Sequence, residues 1–231
     1  MSINYGRIDK MADINFHNLK KKELQIFLTG RCKHRHMYYE HPACFLRELN
    51  LKPRIGYLDI ETSNLKANIG IMLSYCIKDG DSKKIYSGVI KKSELMDGTL
   101  DKRLVEDCIN DMWKFDKIVT YYGTRFDVPF LRTRALFWDV EFPKYSQINH
   151  KDCYYMVRNK MCLHSNRLEN ACRLMGIKGK THVDWNYWIR ALTGDEKSLK
   201  YILDHNKKDV IILEKLYNKL LQYVRDTNRS I

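Results

Sequence analysis

The chain has no apolar run near the roughly 20 residues that a membrane-crossing helix needs, and its opening decapeptide MSINYGRIDK lacks an apolar secretory core. These absences set the expectation of a soluble chain, cytoplasmic or otherwise intracellular, not secreted and with no membrane role. Acidic charge is sparse against basic: 28 Asp and Glu face 41 Lys and Arg, a formal net charge of +13. That imbalance favours a polyanionic partner such as nucleic acid, although a basic surface serving only solubility would have the same composition. Internal repeats and low-complexity segments are also missing. The seven cysteines are an odd number in a chain of 231 residues, too long to depend on disulfides, so most are expected as reduced core thiols. What is present is 44% hydrophobic residues, enough for an ordinary core in one α/β domain with a small appendage.

Organisation changes near residue 54. Residues 1–54 hold 11 Lys or Arg against 5 Asp or Glu, and four of the eight histidines, with little sustained periodicity. We read 1–53 as a basic, His/Cys-rich N-terminal module and 54–231 as the main domain. There IGYLDIE, IGIMLSYCIK and KKIYSGVI read as three consecutive strands, the last two joined by the turn chemistry of KDGDSKK. Residues 100–115 place Leu104, Cys108, Ile109, Met112 and Trp113 on one helical face, and KIVTYYG follows as a fourth strand. DVPFLRTRALFWD suits a helix with Pro129 in its first turn, SNRLENACRLMG one that ends at Gly176, and about 198–223 a long final helix. Strands first, then helix and strand in alternation, describe an α/β fold: a mixed central sheet flanked by helices.

Asp59 and Glu61 are two residues apart on the first strand and so share a face, between the apolar neighbours Leu58 and Ile60. Two carboxylates on a buried strand repel each other and lose hydration unless a cation or proton compensates them. Oxygen-only ligands suit Mg²⁺ or Mn²⁺; an exposed edge strand with solvated acids is the alternative. Asp127 follows the apolar strand KIVTYYG at a strand-to-helix junction, where ligands collect, but where an N-cap also uses Asp. His205 and Asp209 are four residues apart in the last helix and share its face, an arrangement also common in plain surface pairs.

In combination these segments resemble the DEDD superfamily of 3′-to-5′ exonucleases, which share an RNase H-like fold. YLDIETSNL resembles the first motif, D-x-E; VTYYGTRFDVPFL the second, an apolar strand followed by Asn or Gly and a distal Asp; HNKKDV stands in the place of the third. The resemblance covers residues 54 to about 223 and is strongest to the group related to the proofreading domains of family-B DNA polymerases, including stand-alone RNase H-like exonucleases. It implies two divalent cations, Mg²⁺ or Mn²⁺: Asp59 bridging both, Glu61 and Asp209 holding the one that activates water, Asp127 supporting the second. It also implies nucleic acid as substrate, most simply single-stranded 3′ ends, and a proton-accepting or water-orienting role for His205. The third motif departs from the pattern. The main subfamilies place Tyr four or His five residues before the last Asp, whereas this chain has His205 at four and Asp204 at five. Thr62, Ser63 and Asn64 would present donors to the terminal nucleotide. Tyr121, Tyr122 and Phe126 are candidate base-stacking groups, although aromatics at a strand end more often belong to a core. An endonuclease on the same fold and a non-catalytic nucleic-acid-binding module compete with this reading; the latter predicts loss of an acidic ligand, and all four are present.

Near the N-terminus, RCKHRHMYYEHPAC gathers Cys32, His34, His36, His41 and Cys44. A C-x-H pair followed by an H-x2-C pair offers zinc-type donors, and a small module poor in apolar residues often needs a metal staple. The expected ligands of a structural Zn²⁺ are Cys32, His34, His41 and Cys44, with His36 as substitute for His34. The spacing matches no well-known finger, and a basic loop with incidental thiols explains it as well. Lys20, Lys21, Lys22, Arg31, Lys33 and Arg35 nearby would suit a phosphate backbone or simply a solvated face.

Overall fold

The computed structural model describes residues 19–40, 44, 45, 48, 49, 51, 53–144, 147–179 and 184–224. Helix α1 (Lys21–Thr29) opens the described chain, in a region whose sequence shows little periodicity; it buries Phe27 alone. The sheet starts with strand β1 (Ile55–Thr62), paired antiparallel to β2 (Met72–Asp79), which pairs antiparallel to β3 (Ile85–Val89). Short helix α2 (Lys92–Asp97) and helix α3 (Lys102–Met112) lead to β4 (Lys117–Thr120), and β4 lies parallel to β1. Helix α4 (Asp127–Phe137) precedes β5 (Asn149–Asp152), parallel to β4, which completes a sheet in the order β3-β2-β1-β4-β5. Helices α5 (Cys153–Lys160), α6 (Leu168–Leu174), α7 (Trp185–Ala191) and α8 (Glu196–Leu220) follow.

The sheet separates two apolar layers. On one face Leu58 and Ile60 of β1 and Leu73, Tyr75 and Ile77 of β2 pack with α3, α4 and α7. On the other, Tyr57, Cys76 and Val119 pack against α5, α6 and the stripe Val210, Leu213, Leu216 and Tyr217 of α8. Each such side chain contributes roughly 1.5–3 kcal/mol by leaving water. Helix α8 starts where Asp195 accepts the Ser198 N–H at 2.9 Å. Beyond Ser198 in the first turn, its buried face is apolar except in the middle, where His205, Asn206 and Asp209 take its place. Polar groups within a core-facing stripe are costly unless partnered, so they mark where α8 does something besides packing.

The elements legible as long periodic segments appear close to where the pattern places them. The final helix spans Glu196–Leu220, with a single 3₁₀ turn over Leu221–Tyr223, and Gly176 past α6 adopts a left-handed φ of 67°. Strand β4 stops at Thr120, so Tyr121 and Tyr122 belong to the loop beyond it. Strand β5, sequence NHKD, has no apolar signature. It is a strand because His150 and Asp152 are buried on one side, beside β4.

Candidate active site

Strand alternation carries Asp59 and Glu61 onto the face that α8 covers, since Tyr57 of the same face packs edge-on against Tyr217 at 5.8 Å. Asp59 stands opposite Cys76 and Glu61 opposite Ser74. Burial pushes the Cys76 thiol up, Asp59 and Glu61 push it further, and Lys207 opposes them. Negative charge therefore concentrates between β1, β2 and α8.

The helix completes the group. His205 Nε2 lies 4.0 Å from Glu61 Oε1 and 3.7 Å from Asp209 Oδ2. One donor atom from each of Glu61, His205 and Asp209 falls within 4.8 Å of the other two. Between the two helix residues, fully buried Asn206 donates from Nδ2 to Ser74 Oγ at 3.2 Å, pinning α8 to β2 beside Glu61. Trp188 of α7 meets the His205 ring edge to face at 5.8 Å, and the imidazole is 3% exposed, so its orientation is set by packing. Carboxylate oxygens crowded at this density match the donor set of a hard divalent cation.

Asp127 is the first residue of α4 and is 2% exposed. Its Oδ1 accepts the N–H of Ile60 at 3.1 Å, the residue between Asp59 and Glu61. That bond brings the fourth acid to the end of β1, past Tyr57, the last residue paired with β4. Burial pushes the Asp127 carboxyl up to about 7, against the pull of the Ile60 N–H; a cation at this site would hold it ionised.

The loop from β4 to α4 is held by Asp152, which sequence reasoning missed because no motif surrounds it. Its carboxylate accepts from Tyr122 N at 2.8 Å, Thr124 N at 2.9 Å and Tyr154 N at 2.9 Å, so one side chain caps α5 and clamps the loop. Gly123 is required by closeness: an added Cβ would sit 2.2 Å from Thr120 Oγ1. Gly123→Ala is expected to cost about 1–3 kcal/mol and to loosen Asp127, measured as a lower Tm together with weaker Mg²⁺-dependent stabilisation. An unchanged Tm would show that the loop relaxes freely.

Behind the loop, His150 Nε2 lies 2.9 Å from Thr120 Oγ1. Burial pulls the imidazole down to about 4 from an ordinary 6.5, with Asp152 opposing and Arg132 assisting. Between those two values the unfolded chain binds a proton that the folded chain does not, so acidification from pH 6.5 to 4 lowers stability. The expected contribution is on the order of 3 kcal/mol, and His150→Gln should remove it. Equal slopes of unfolding free energy against pH for the two proteins would contradict this assignment.

The remaining sequence candidates have varied positions. The Thr62 hydroxyl donates to Asn64 O at 2.9 Å, Ser63 Oγ accepts from Ile71 N at 2.9 Å, and Asn64 Oδ1 accepts from Lys66 N at 3.0 Å, so all three side chains shape the turn after β1. Tyr122 is 44% exposed, with a left-handed φ of 69° and its ring 4.8 Å from Tyr154. Phe126 is half-buried against the core and packs on Phe130 at 5.7 Å. In the N-terminal region Cys32, His34 and Cys44 come together with Glu48, whereas His41 lies outside the described residues.

Residues 56–221 match the family model of the RNase_H superfamily, and the chain belongs to that superfamily. The five-stranded sheet flanked by helices and the matched family together define an RNase H-like domain. Among solved structures the chain is similar to the family B DNA polymerase of the hyperthermophilic archaeon Pyrobaculum calidifontis, with a TM-score of 0.62 and 18% identity over 74% of this chain. That identity speaks to fold alone, and the match spans 25% of the polymerase chain. No curated protein matches the sequence. Among the described residues no helix is long and apolar enough to cross a membrane.

Proposed function

We propose that this chain is a DEDD-type exonuclease that removes nucleotides from the 3′ end of DNA or RNA, with Asp59, Glu61, Asp127 and Asp209 holding two divalent cations, Mg²⁺ or Mn²⁺. The observation that carries the reading is the convergence of Glu61, His205 and Asp209 within 4.8 Å, on the β1 face that also bears Asp59. Asp127 is tied to the same stretch of β1 through Ile60 N. Cations at these carboxylates would supply Lewis acidity to the attacking water and the scissile phosphate. The protein's own part is to fix the carboxylates and to handle the proton. His205 Nε2 faces both Glu61 and Asp209, where it can accept a proton from water held beside them. Its neighbour Trp188 packs edge to face against the ring and fixes its plane. Tyr122, 44% exposed in the loop between β4 and α4, would stack on an unpaired base of the substrate.

The domain division follows the same reading: residues 54–231 carry the nuclease and 1–53 form a separate basic module. The test is hydrolysis of 3′- and 5′-labelled single-stranded DNA and RNA with Mg²⁺ or Mn²⁺, comparing the unaltered protein with Asp59→Ala. Stepwise shortening from the 3′ end that the substitution abolishes supports the exonuclease. Internal cleavage of a circular substrate supports an endonuclease instead, and binding without cleavage supports a non-catalytic module.

A further inference from the structure

Away from the carboxylate site, the N-terminal region contains a second group of metal-type donors on a different local framework. Arg31 bridges to Met37, Cys32 N–H donates to His36 O at 2.9 Å, and Arg35 N–H donates to Cys32 O at 2.7 Å. These bonds close a tight hairpin turn, with Arg35 in the left-handed region at φ 69°. Cys32 and His34 project from that turn. Cys44, Phe45 and Glu48 are each helical and Leu49 N–H donates to Phe45 O at 3.1 Å, so Cys44 and Glu48, four positions apart, share one face. Hairpin and helix each bring two donors to one point. Cys32 Sγ is 3.9 Å and Cys44 Sγ 3.4 Å from His34 Nδ1, and one atom from each of Cys32, His34, Cys44 and Glu48 lies within 4.8 Å of all the others. Zn–S and Zn–N bonds of about 2.3 and 2.0–2.1 Å place tetrahedral S and N ligands about 3.6 Å apart.

We infer that Cys32, His34, Cys44 and Glu48 form a structural zinc site that holds the hairpin to the helix. Both thiols are reduced and buried, and binding releases their protons as they become thiolates. The carboxylate is held in place by its own donors, since Lys33 N–H donates to both oxygens of Glu48 at 3.2 Å and the Tyr38 hydroxyl donates to Oε2 at 3.2 Å. The local core explains the need. Among the described residues its buried members are Phe27, Cys32, Tyr38, Cys44 and Phe45, two of the five being the thiols themselves, with Leu19, Ile26, Leu49 and Leu51 partly buried against them. A core with this few buried side chains among the described residues gains stability from a cross-link between hairpin and helix. Three of the four ligands expected from the sequence, Cys32, His34 and Cys44, are in this group, Glu48 is the fourth donor among the described residues, and His41 lies outside them. His36, whose ring lies 6.4 Å from that of His34, is not a member.

The inference does not depend on the nuclease reading, and its test separates the two. Full-length protein is loaded with zinc, dialysed against metal-free buffer and assayed for metal content; the same protein loaded with Co²⁺ is examined by absorption spectroscopy. One zinc per chain should remain, both in the unaltered protein and in Asp59→Asn, and the cobalt form should show thiolate-to-metal charge-transfer bands. Cys32→Ser and Cys44→Ser should lose the metal, Glu48→Gln should bind at least about tenfold more weakly, and His41→Ala should match the unaltered protein. Absence of both retained zinc and cobalt–thiolate bands would overturn the site without any reliance on a variant that folds poorly. Loss of zinc in His41→Ala, with Glu48→Gln unchanged, would overturn the ligand set.

Discussion

Asp59→Asn is expected to lower metal-dependent hydrolysis by about a thousandfold or more while leaving the fold and nucleic-acid binding in place. The substitution is nearly isosteric, so the packing of β1 between β2 and β4 is retained, and only the negative charge is lost from the face shared with Glu61. A bound cation supplies several kcal/mol of transition-state stabilisation, and roughly 4 kcal/mol corresponds to about a thousandfold in rate. Removing one carboxylate from a crowded acidic group also relieves repulsion, so Tm measured in a chelating buffer should hold steady or rise. The assay is single-turnover hydrolysis with Mg²⁺, paired with equilibrium binding of the same oligonucleotide in Ca²⁺. Near-normal hydrolysis by the variant would sink the assignment of this acid as a metal ligand.

Asp101→Ala is expected to be the most damaging single change to the fold, costing about 3–5 kcal/mol. Asp101 is fully buried, and its carboxylate accepts from the guanidinium of Arg134, from Trp138 Nε1 at 2.8 Å and from Met72 N at 2.8 Å. One side chain thereby ties the start of β2 to the end of α4. Its loss leaves the Arg134 charge, itself 4% exposed, without its carboxylate partner and with Ala67 O, 3.2 Å from Nη1, as a neutral acceptor. For a chain of this size that amounts to a fall in Tm on the order of 10 °C. The companion Arg134→Met in the Asp101→Ala background should recover part of the loss, because the double variant no longer buries an unpaired charge. Equal instability of the single and double variants would show that the hydrogen bonds to Trp138 and Met72, rather than the charge, dominate.

The legible parts of the site were those that coincide with strong periodic elements. Asp59 and Glu61 stand within the apolar run of β1, and His205 and Asp209 interrupt the apolar stripe of α8, so pattern and exception are visible together. Asp152 and His150 were not legible, because β5 is four polar residues long and takes its strand character from β4 beside it. Trp188, on a seven-residue helix, touches His205 only because α7 folds back onto α8. Glu48 reads in the sequence as one more surface acid. Its place beside two thiols and an imidazole depends on the hairpin and the helical stretch coming together.

By itself the sequence determined the order of strands and helices, the face on which the paired acids leave β1, and the spacing that sets His205 and Asp209 one turn apart. Those are local properties: side chains alternate along a strand and recur every three or four residues along a helix, whatever else the chain does. Only the tertiary structure decided that Asp127 would reach Ile60 N, that α8 would lie over β1 and β2 with its polar interruption against Glu61, and that Asp152 would hold the loop between them. These contacts join residues between 30 and 144 positions apart. No local periodicity encodes such a pairing; it follows from how two apolar layers close on a shared sheet.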